Sequence, residues 1–175
     1  MIKQQIIQAL EKQYRAFADE IEVMNEAEFL NAPKGKWNAG QHTDHLSRSI
    51  LPLVLGLRLP NYLPRFIFGK ANRPSKTYED LVAKYKTRLS LGSKAVFPFI
   101  PSNFKYRSKQ SLLEKLKSNV EKLCKILEAY SEPQLDEIVF PHPVLEKITL
   151  REMLYFTIYH AEHHQKLVLK NLEDH

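Results

Sequence analysis

Apolar residues recur through this sequence at the spacing of an α-helix. Between Gln5 and Met24 they return at intervals of three, four or seven residues, whereas Lys12, Arg15 and Glu20 lie off that line. The apolar stripe consists of Ile6, Leu10, Phe17, Ile21 and Met24, with Tyr14 filling the gap. A stripe of this kind must be covered by other elements, so the segment predicts a long helix packed in a bundle.

Three later segments show the same periodicity, and capping-box pairs mark where their helices begin. These pairs are Asn38 with Gln41, Ser111 with Glu114, and Thr149 with Glu152. We expect the second long helix to end near Arg58 and the fourth near Leu172. Cys124 borders the stripe of the third, where it is expected to be a small core residue.

Between the second and third long helices the pattern is interrupted twice. Residues 59–75 and 92–107 are rich in proline and aromatic residues, which favours irregular but packed connections. A shorter helix between them is expected to be capped by Ser75 or Thr77 and to end near Leu91. With only 5 glycines and no clusters of β-branched residues, the expected fold is all-α. It is a four-helix bundle with an extra short helix, in a single domain over residues 1–175.

Composition narrows the classes of partner. The net charge of +6 raises the question of nucleic acid, but the basic residues of 105–125 alternate with apolar and acidic positions, as on a solvated helix face. The most apolar run, Ile50 to Leu57, is too short to cross a bilayer, and a single cysteine agrees with a reducing compartment. We expect a cytoplasmic protein with a small-molecule substrate and no nucleic-acid or membrane partner. Monomer and homodimer both stay open.

Histidines of the fourth long helix point to a metal site. Helical rotation places His160 and His164 towards the bundle interior, while His163 falls on the line of Tyr159 and Lys166, which is expected to face solvent. Imidazoles four residues apart lie on the same side of a helix and can converge on one ion. Burying them without a partner would be costly, so either a metal or hydrogen bonds in the core must satisfy them.

The second long helix offers a third imidazole. His42 lies nearer the centre of its apolar stripe and His45 nearer the edge, and geometry alone does not choose between them. Three neutral nitrogen ligands leave a coordination position open, as in catalytic zinc sites, and nickel or iron would also be compatible.

Three motifs of this chain resemble the DinB/YfiT-like superfamily of metal-binding four-helix bundles. They are Trp37 followed by His45-Leu46 and Ser49, Pro141-His142-Pro143 with Leu145 before Thr149-Leu150, and the run His160-Ala161-Glu162-His163-His164-Gln165. The resemblance spans nearly the whole chain, and it implies that His45, His160 and His164 bind a divalent metal ion. His42 and His163 are then additional histidines.

The resemblance implies an enzyme that transfers a low-molecular-weight thiol to an electrophile or carries out a metal-dependent hydrolysis. The alternative is a helical bundle that binds a metal or small ligand without catalysis. An anionic thiol would need cations, for which Arg58, Arg65, Lys70 and Arg73 are the candidates. Asp44 and Glu162 adjoin expected ligands in sequence but are expected to point away from them.

Overall fold

A computed structural model describes residues 1–60 and 62–173. The α-helices in this part of the chain are α1 (Lys3–Glu22), α2 (Glu26–Leu30), α3 (Ala39–Leu57), α4 (Tyr62–Phe68), α5 (Tyr78–Ser90), α6 (Lys109–Glu128), α7 (Glu132–Glu137) and α8 (Leu150–Glu173). A 3-10 turn, Tyr106–Ser108, precedes α6, and strands β1 (Val139–His142) and β2 (Glu146–Thr149) form an antiparallel hairpin. The predicted all-α bundle is confirmed.

Four long helices, α1, α3, α6 and α8, enclose the core. Helix α6 packs against α1 and α3, and α8 packs against α1, α3 and α5. The stripe predicted for α1 is buried throughout, with Ile6, Leu10, Phe17 and Ile21 fully shielded from solvent. Burial of each such side chain stabilises the fold by about 1.5–3 kcal/mol, so packing rather than helix propensity holds these helices in place.

Two of the three predicted capping boxes are present. The Asn38 side chain accepts from Gln41 N at 2.9 Å, and Asn38 N donates to the Gln41 side chain at 3.0 Å. Thr149 and Glu152 make the same reciprocal pair at 2.8 and 3.2 Å. The N-cap of α5 is Thr77, whose hydroxyl accepts from the backbone of the first helical turn. These caps fix where α3, α5 and α8 begin.

The predicted capping box at Ser111 and Glu114 is wrong, because α6 begins earlier, at Lys109. The Lys109 ammonium donates to the carbonyl oxygens of Glu22 at 2.9 Å and Met24 at 2.7 Å, at the C-terminal end of α1. A positive charge stabilises the negative end of a helix dipole. A contact between distant parts of the chain is therefore made at the start of α6, and the local spacing of Ser111 and Glu114 did not predict it.

Helix α4 lies in a segment expected to be irregular, and α2 and the β-hairpin were not predicted. Helix α4 occupies part of the 59–75 connection, and β1 pairs with β2 so that Phe140 lies opposite Ile148. Helix α8 begins directly after β2, and Leu150 N donates to the Ile138 carbonyl at 2.7 Å. The hairpin therefore anchors the first turn of the helix that carries His160 and His164.

Cys124 is buried in the bundle as expected, and burial raises the pKa of its thiol to about 12. A thiol in that state is a poor nucleophile at neutral pH, because the thiolate is the reactive form. In the part of the chain that the structure covers, we find no helix with both the length and the apolar character needed to cross a membrane.

Candidate metal centre

Three imidazoles converge inside the bundle. His45 comes from α3, and His160 and His164 come from successive turns of α8. His160 Nε2 lies 3.1 Å from His45 Nε2 and 3.0 Å from His164 Nε2, and one ligand nitrogen from each residue lies within 4.8 Å of the others. All three side chains are at most 6% exposed. The fold thus brings together the three residues predicted as metal ligands.

The second nitrogens of two of these rings are occupied elsewhere. His45 Nδ1 lies 2.6 Å from the Phe99 carbonyl oxygen, and since a carbonyl only accepts, Nδ1 carries the proton. His45 Nε2 is then an unprotonated acceptor facing the cluster. His164 Nδ1 lies 2.7 Å from His42 Nδ1, so His42 contacts a cluster residue without joining the cluster. Both α3 histidines thus contact a histidine of α8, but only His45 contributes a nitrogen to the cluster.

Counting protons shows that three neutral rings do not satisfy one another. With His45 Nε2 unprotonated, His160 Nε2 must either donate or accept, and it has a close neighbour on each side. If it donates, its single proton serves two neighbours; if it accepts from His164, two lone pairs face each other across 3.1 Å. A cation between the three nitrogens removes the conflict.

Electrostatics disfavours a proton in that role. Burial, together with the neighbouring imidazoles, holds the pKa values of His160 and His164 well below the ordinary value. Burial also lowers the pKa of His45 and brings that of His42 to about 3. At neutral pH the rings are therefore neutral, which is the form that binds a metal.

The spacing of the nitrogens fits a divalent ion. Two metal–nitrogen bonds of about 2.1 Å can span up to about 4.2 Å, and the close Nε2 pairs fall inside that limit. Imidazole is a ligand that zinc, nickel and iron all accept. The residues present therefore fit a three-histidine metal centre.

The carbonyl that accepts from His45 is held by a charged pair. Asp44, which is 2% exposed, bonds the Arg48 side chain at 2.6 Å and accepts from Ser102 N at 3.3 Å. Arg48 also donates to the Pro98 carbonyl at 3.3 Å and to the Ser102 hydroxyl at 3.1 Å. As expected, Asp44 points away from the cluster. It acts on the site indirectly, by fastening residues 98–102 around the Phe99 carbonyl.

Aromatic rings hold the imidazoles from the sides. The Trp37 ring lies nearly parallel to that of His164, at 10° with centroids 6.1 Å apart, and its centroid is 4.9 Å from that of His45. Phe156 stacks on His160 with centroids 4.7 Å apart. These contacts limit rotation of the rings and keep their Nε2 atoms directed at one point.

The expectation that Tyr159 and His163 face solvent is wrong. Tyr159 is 8% exposed and His163 is half-buried, because α5 packs against this face of α8. The ring centroid of Tyr85 in α5 lies 6.1 Å from that of Tyr159 and 6.2 Å from that of His163. No sequence signal indicated that the short α5 would cover α8. Glu162 does point away from the cluster, and it pairs with Lys166.

A cavity of about 820 Å³ adjoins the three imidazoles. Within the described ranges its only charged lining residues besides histidine are Lys36 and Lys94. The cations suggested from sequence, Arg58, Arg65, Lys70 and Arg73, do not line it.

Arg73 is engaged elsewhere. It makes two bonds, at 2.7 and 3.0 Å, to the fully buried carboxylate of Glu152. That pair joins the segment before α5 to the first turn of α8. It therefore stabilises the scaffold of the site.

The model of the DinB superfamily matches residues 9–168 of this sequence, most of its length. The chain belongs to the DinB superfamily. Among solved structures, YfiT from Bacillus subtilis, described as a probable metal-dependent hydrolase with an unusual four-helix bundle topology, is similar at 18% identity and a TM-score of 0.64. The match covers 98% of this chain and 86% of YfiT, and at this identity it shows a shared fold. Comparison with curated protein sequences gave no match.

Proposed function

We propose that this DinB-superfamily protein is a metal-dependent hydrolase in which His45, His160 and His164 hold a divalent ion of zinc, nickel or iron. The observation that carries the proposal is the meeting of the Nε2 atoms of three neutral rings beside a cavity, where no arrangement of their protons gives each close pair its own hydrogen bond. The description of YfiT as a probable metal-dependent hydrolase agrees with it. A cytoplasmic location is part of the proposal.

A divalent ion held by His45, His160 and His164 would act as a Lewis acid and would activate water for hydrolysis. The chain's own residues do the rest. The Phe99 carbonyl keeps the proton of His45 on Nδ1, and Trp37 and Phe156 fix the ring planes. The largely apolar cavity is the place where a substrate would bind beside the cluster.

Transfer of a low-molecular-weight thiol is the second candidate, and one observation favours it. No aspartate or glutamate lines the cavity in the described part of the chain, so no carboxylate is in place as a general base. A metal-stabilised thiolate needs none. Lys36 and Lys94, which do line the cavity, would be the groups that hold the carboxylates of such a thiol.

The test measures metal content and turnover in the same preparations. Wild type, His160→Ala and the control His163→Ala are analysed for bound metal, then assayed for hydrolysis of an ester panel and for conjugation of small thiols to electrophiles. We expect about one metal per chain in wild type and His163→Ala, loss of metal in His160→Ala, and hydrolysis only where metal is present. Metal without turnover in either assay would identify a binding module. Hydrolysis that survives in His160→Ala would refute the proposal.

A further inference from the structure

His142, outside the three-histidine cluster, has its proton position fixed by the backbone. It ends β1 and is 8% exposed, and its Nδ1 accepts from Val144 N at 3.1 Å and from Leu145 N at 3.0 Å. Backbone N–H groups only donate, so Nδ1 carries no proton. The neutral ring therefore carries its proton on Nε2.

That Nε2–H group has no protein partner in residues 1–60 and 62–173. Every fully shielded side-chain nitrogen or oxygen in those residues does have a partner, so Nε2 must reach open space. His142 lines the 820 Å³ cavity, which is the open space next to it. Around it the cavity wall is apolar, formed by Phe140, Pro141, Val144 and Phe156. A buried ring with one unpaired hydrogen-bond donor thus lies in an apolar part of the cavity wall.

This donor lies close to the three-histidine cluster. The Phe156 ring packs between the two sites, with its centroid 4.2 Å from that of His142 and 4.7 Å from that of His160. These two separations limit the distance between the imidazole centroids to about 9 Å. One small molecule can therefore reach both the donor and the cluster.

The charge and polarity of the cavity define what it would accept. Ile67, Val96 and Ile100 line it and are each about half exposed, which gives it an apolar mouth. Burial, with a contribution from Lys84, lowers the pKa of His142 to about 4, so the ring is neutral at physiological pH. Among the residues that the structure describes, the wall next to His142 carries no charged side chain, so its neutral donor favours an uncharged acceptor at this point of the cavity.

We propose that the cavity binds a mainly apolar substrate whose uncharged carbonyl oxygen accepts a hydrogen bond from His142 Nε2–H. This inference rests on the proposed function in taking the cavity as the substrate site. Binding of such a molecule needs neither a metal nor turnover, so it can be tested separately.

The test compares two ligands of the same shape, butyrophenone and butylbenzene, which differ in one carbonyl oxygen. Their dissociation constants are measured by NMR titration in wild type, His142→Asn and His142→Gln. The asparagine oxygen can occupy the position of Nδ1 and keep the bonds from residues 144 and 145, but its amide nitrogen does not reach the position of Nε2, so the donor there is lost. The glutamine amide can occupy the position of Nε2 and keep the donor. Thermal unfolding of each variant checks that the hairpin is intact.

We expect wild type and His142→Gln to prefer the ketone about fivefold more strongly than His142→Asn does, the effect of one net hydrogen bond. Long-range ¹H–¹⁵N spectra of wild type need no variant. They should show the Nε2–H tautomer of His142, with an Nε2 resonance that shifts on adding ketone but not hydrocarbon. The Nδ1–H tautomer, or an undiminished ketone preference in a folded His142→Asn protein, would overturn the proposal.

The two proposals fail in different ways. A protein that prefers the ketone as expected but hydrolyses no ester would refute the proposed function and leave the role of His142 standing. A protein that hydrolyses esters with its metal but binds ketone and hydrocarbon equally would refute the role of His142 alone.

Discussion

Replacing His42 by phenylalanine tests whether this residue controls the metal site without binding the ion. The substitution keeps an aromatic ring but removes the nitrogen that lies 2.7 Å from His164 Nδ1. Both side chains are at most 5% exposed, so water does not readily replace the lost contact. Binding of a metal through His164 Nε2 requires the proton of that ring to be on Nδ1, and in His42→Phe this Nδ1–H group has no partner.

The size of the expected loss of zinc affinity follows from the cost of leaving the Nδ1–H group of His164 without a partner. Leaving a buried donor unpaired costs about 1–3 kcal/mol. Loss of a hydrogen bond to a metal-binding imidazole typically lowers metal affinity about 10- to 100-fold, which corresponds to about 1.4–2.8 kcal/mol. The two ranges agree, so we expect His42→Phe to bind zinc about 10- to 100-fold more weakly than wild type.

The assay is competition for Zn²⁺ with a fluorescent chelator at neutral pH, supported by the visible spectrum of the Co²⁺-loaded protein. The control is His163→Phe, the same replacement at a histidine that also borders the cavity. In the part of the chain described, His163 makes no hydrogen bond to His45, His160 or His164. The zinc affinity of His163→Phe should therefore equal that of wild type. Equal affinity in His42→Phe and wild type would refute the reasoning, as would equal losses in the two variants.

Two further predictions concern the scaffold. Glu152→Gln should lower the free energy of unfolding by about 2 kcal/mol, because the buried carboxylate loses its charged bonds from Arg73. Burial alone would raise the pKa of Glu152, but bonds from Arg73 and two backbone N–H groups lower it. The difference in the free energy of unfolding between wild type and Glu152→Gln, measured in urea, should therefore be largest above about pH 4.5 and should shrink at lower pH. A difference that grew on acidification would contradict this. Gly40→Ala should destabilise by about 1 kcal/mol, since its Cβ would lie 2.7 Å from the buried Phe29 ring, while Gly56→Ala, with 3.2 Å to its nearest atom, should change the melting temperature little.

The parts of the fold that could be predicted are those set by local pattern. The stripe of α1 and the caps at Asn38 and Thr149 depend on residues within a few positions of one another, so the sequence displays them directly. The start of α6 depends on Lys109 reaching carbonyl groups of α1, which no local pattern encodes. The β-hairpin was missed because two strands of four residues are too short to show alternation, and Pro141 argued against one of them.

In the candidate site too, the features set by local sequence pattern could be predicted and those set by tertiary contacts could not. Helical periodicity directed His160 and His164 inward, and the structure brings both to one point with His45. Their binding of a metal stays a prediction. The position of His163 was wrong because the covering of α8 by α5 is a tertiary fact. The cavity-facing nitrogen of His142 was missed too, although that residue belongs to a motif quoted for the family resemblance.

Residue type and spacing alone could not decide whether His42 or His45 is the third candidate metal ligand. Both residues lie on the inner side of α3, both are buried, and each places a nitrogen within hydrogen-bond distance of an α8 histidine. What separates them is the nitrogen that each one reaches: His45 Nε2 lies beside His160 Nε2 in the cluster, whereas His42 Nδ1 lies beside His164 Nδ1, outside it. The Phe99 carbonyl binds His45 Nδ1, so His45 turns an unprotonated Nε2 into the cluster. A backbone carbonyl has no sequence signature, and the segment that carries this one is fastened to α3 by bonds from Arg48 to Pro98 and from Ser102 to Asp44. The proton of His45 is thus placed for metal binding by a contact that only the folded chain provides.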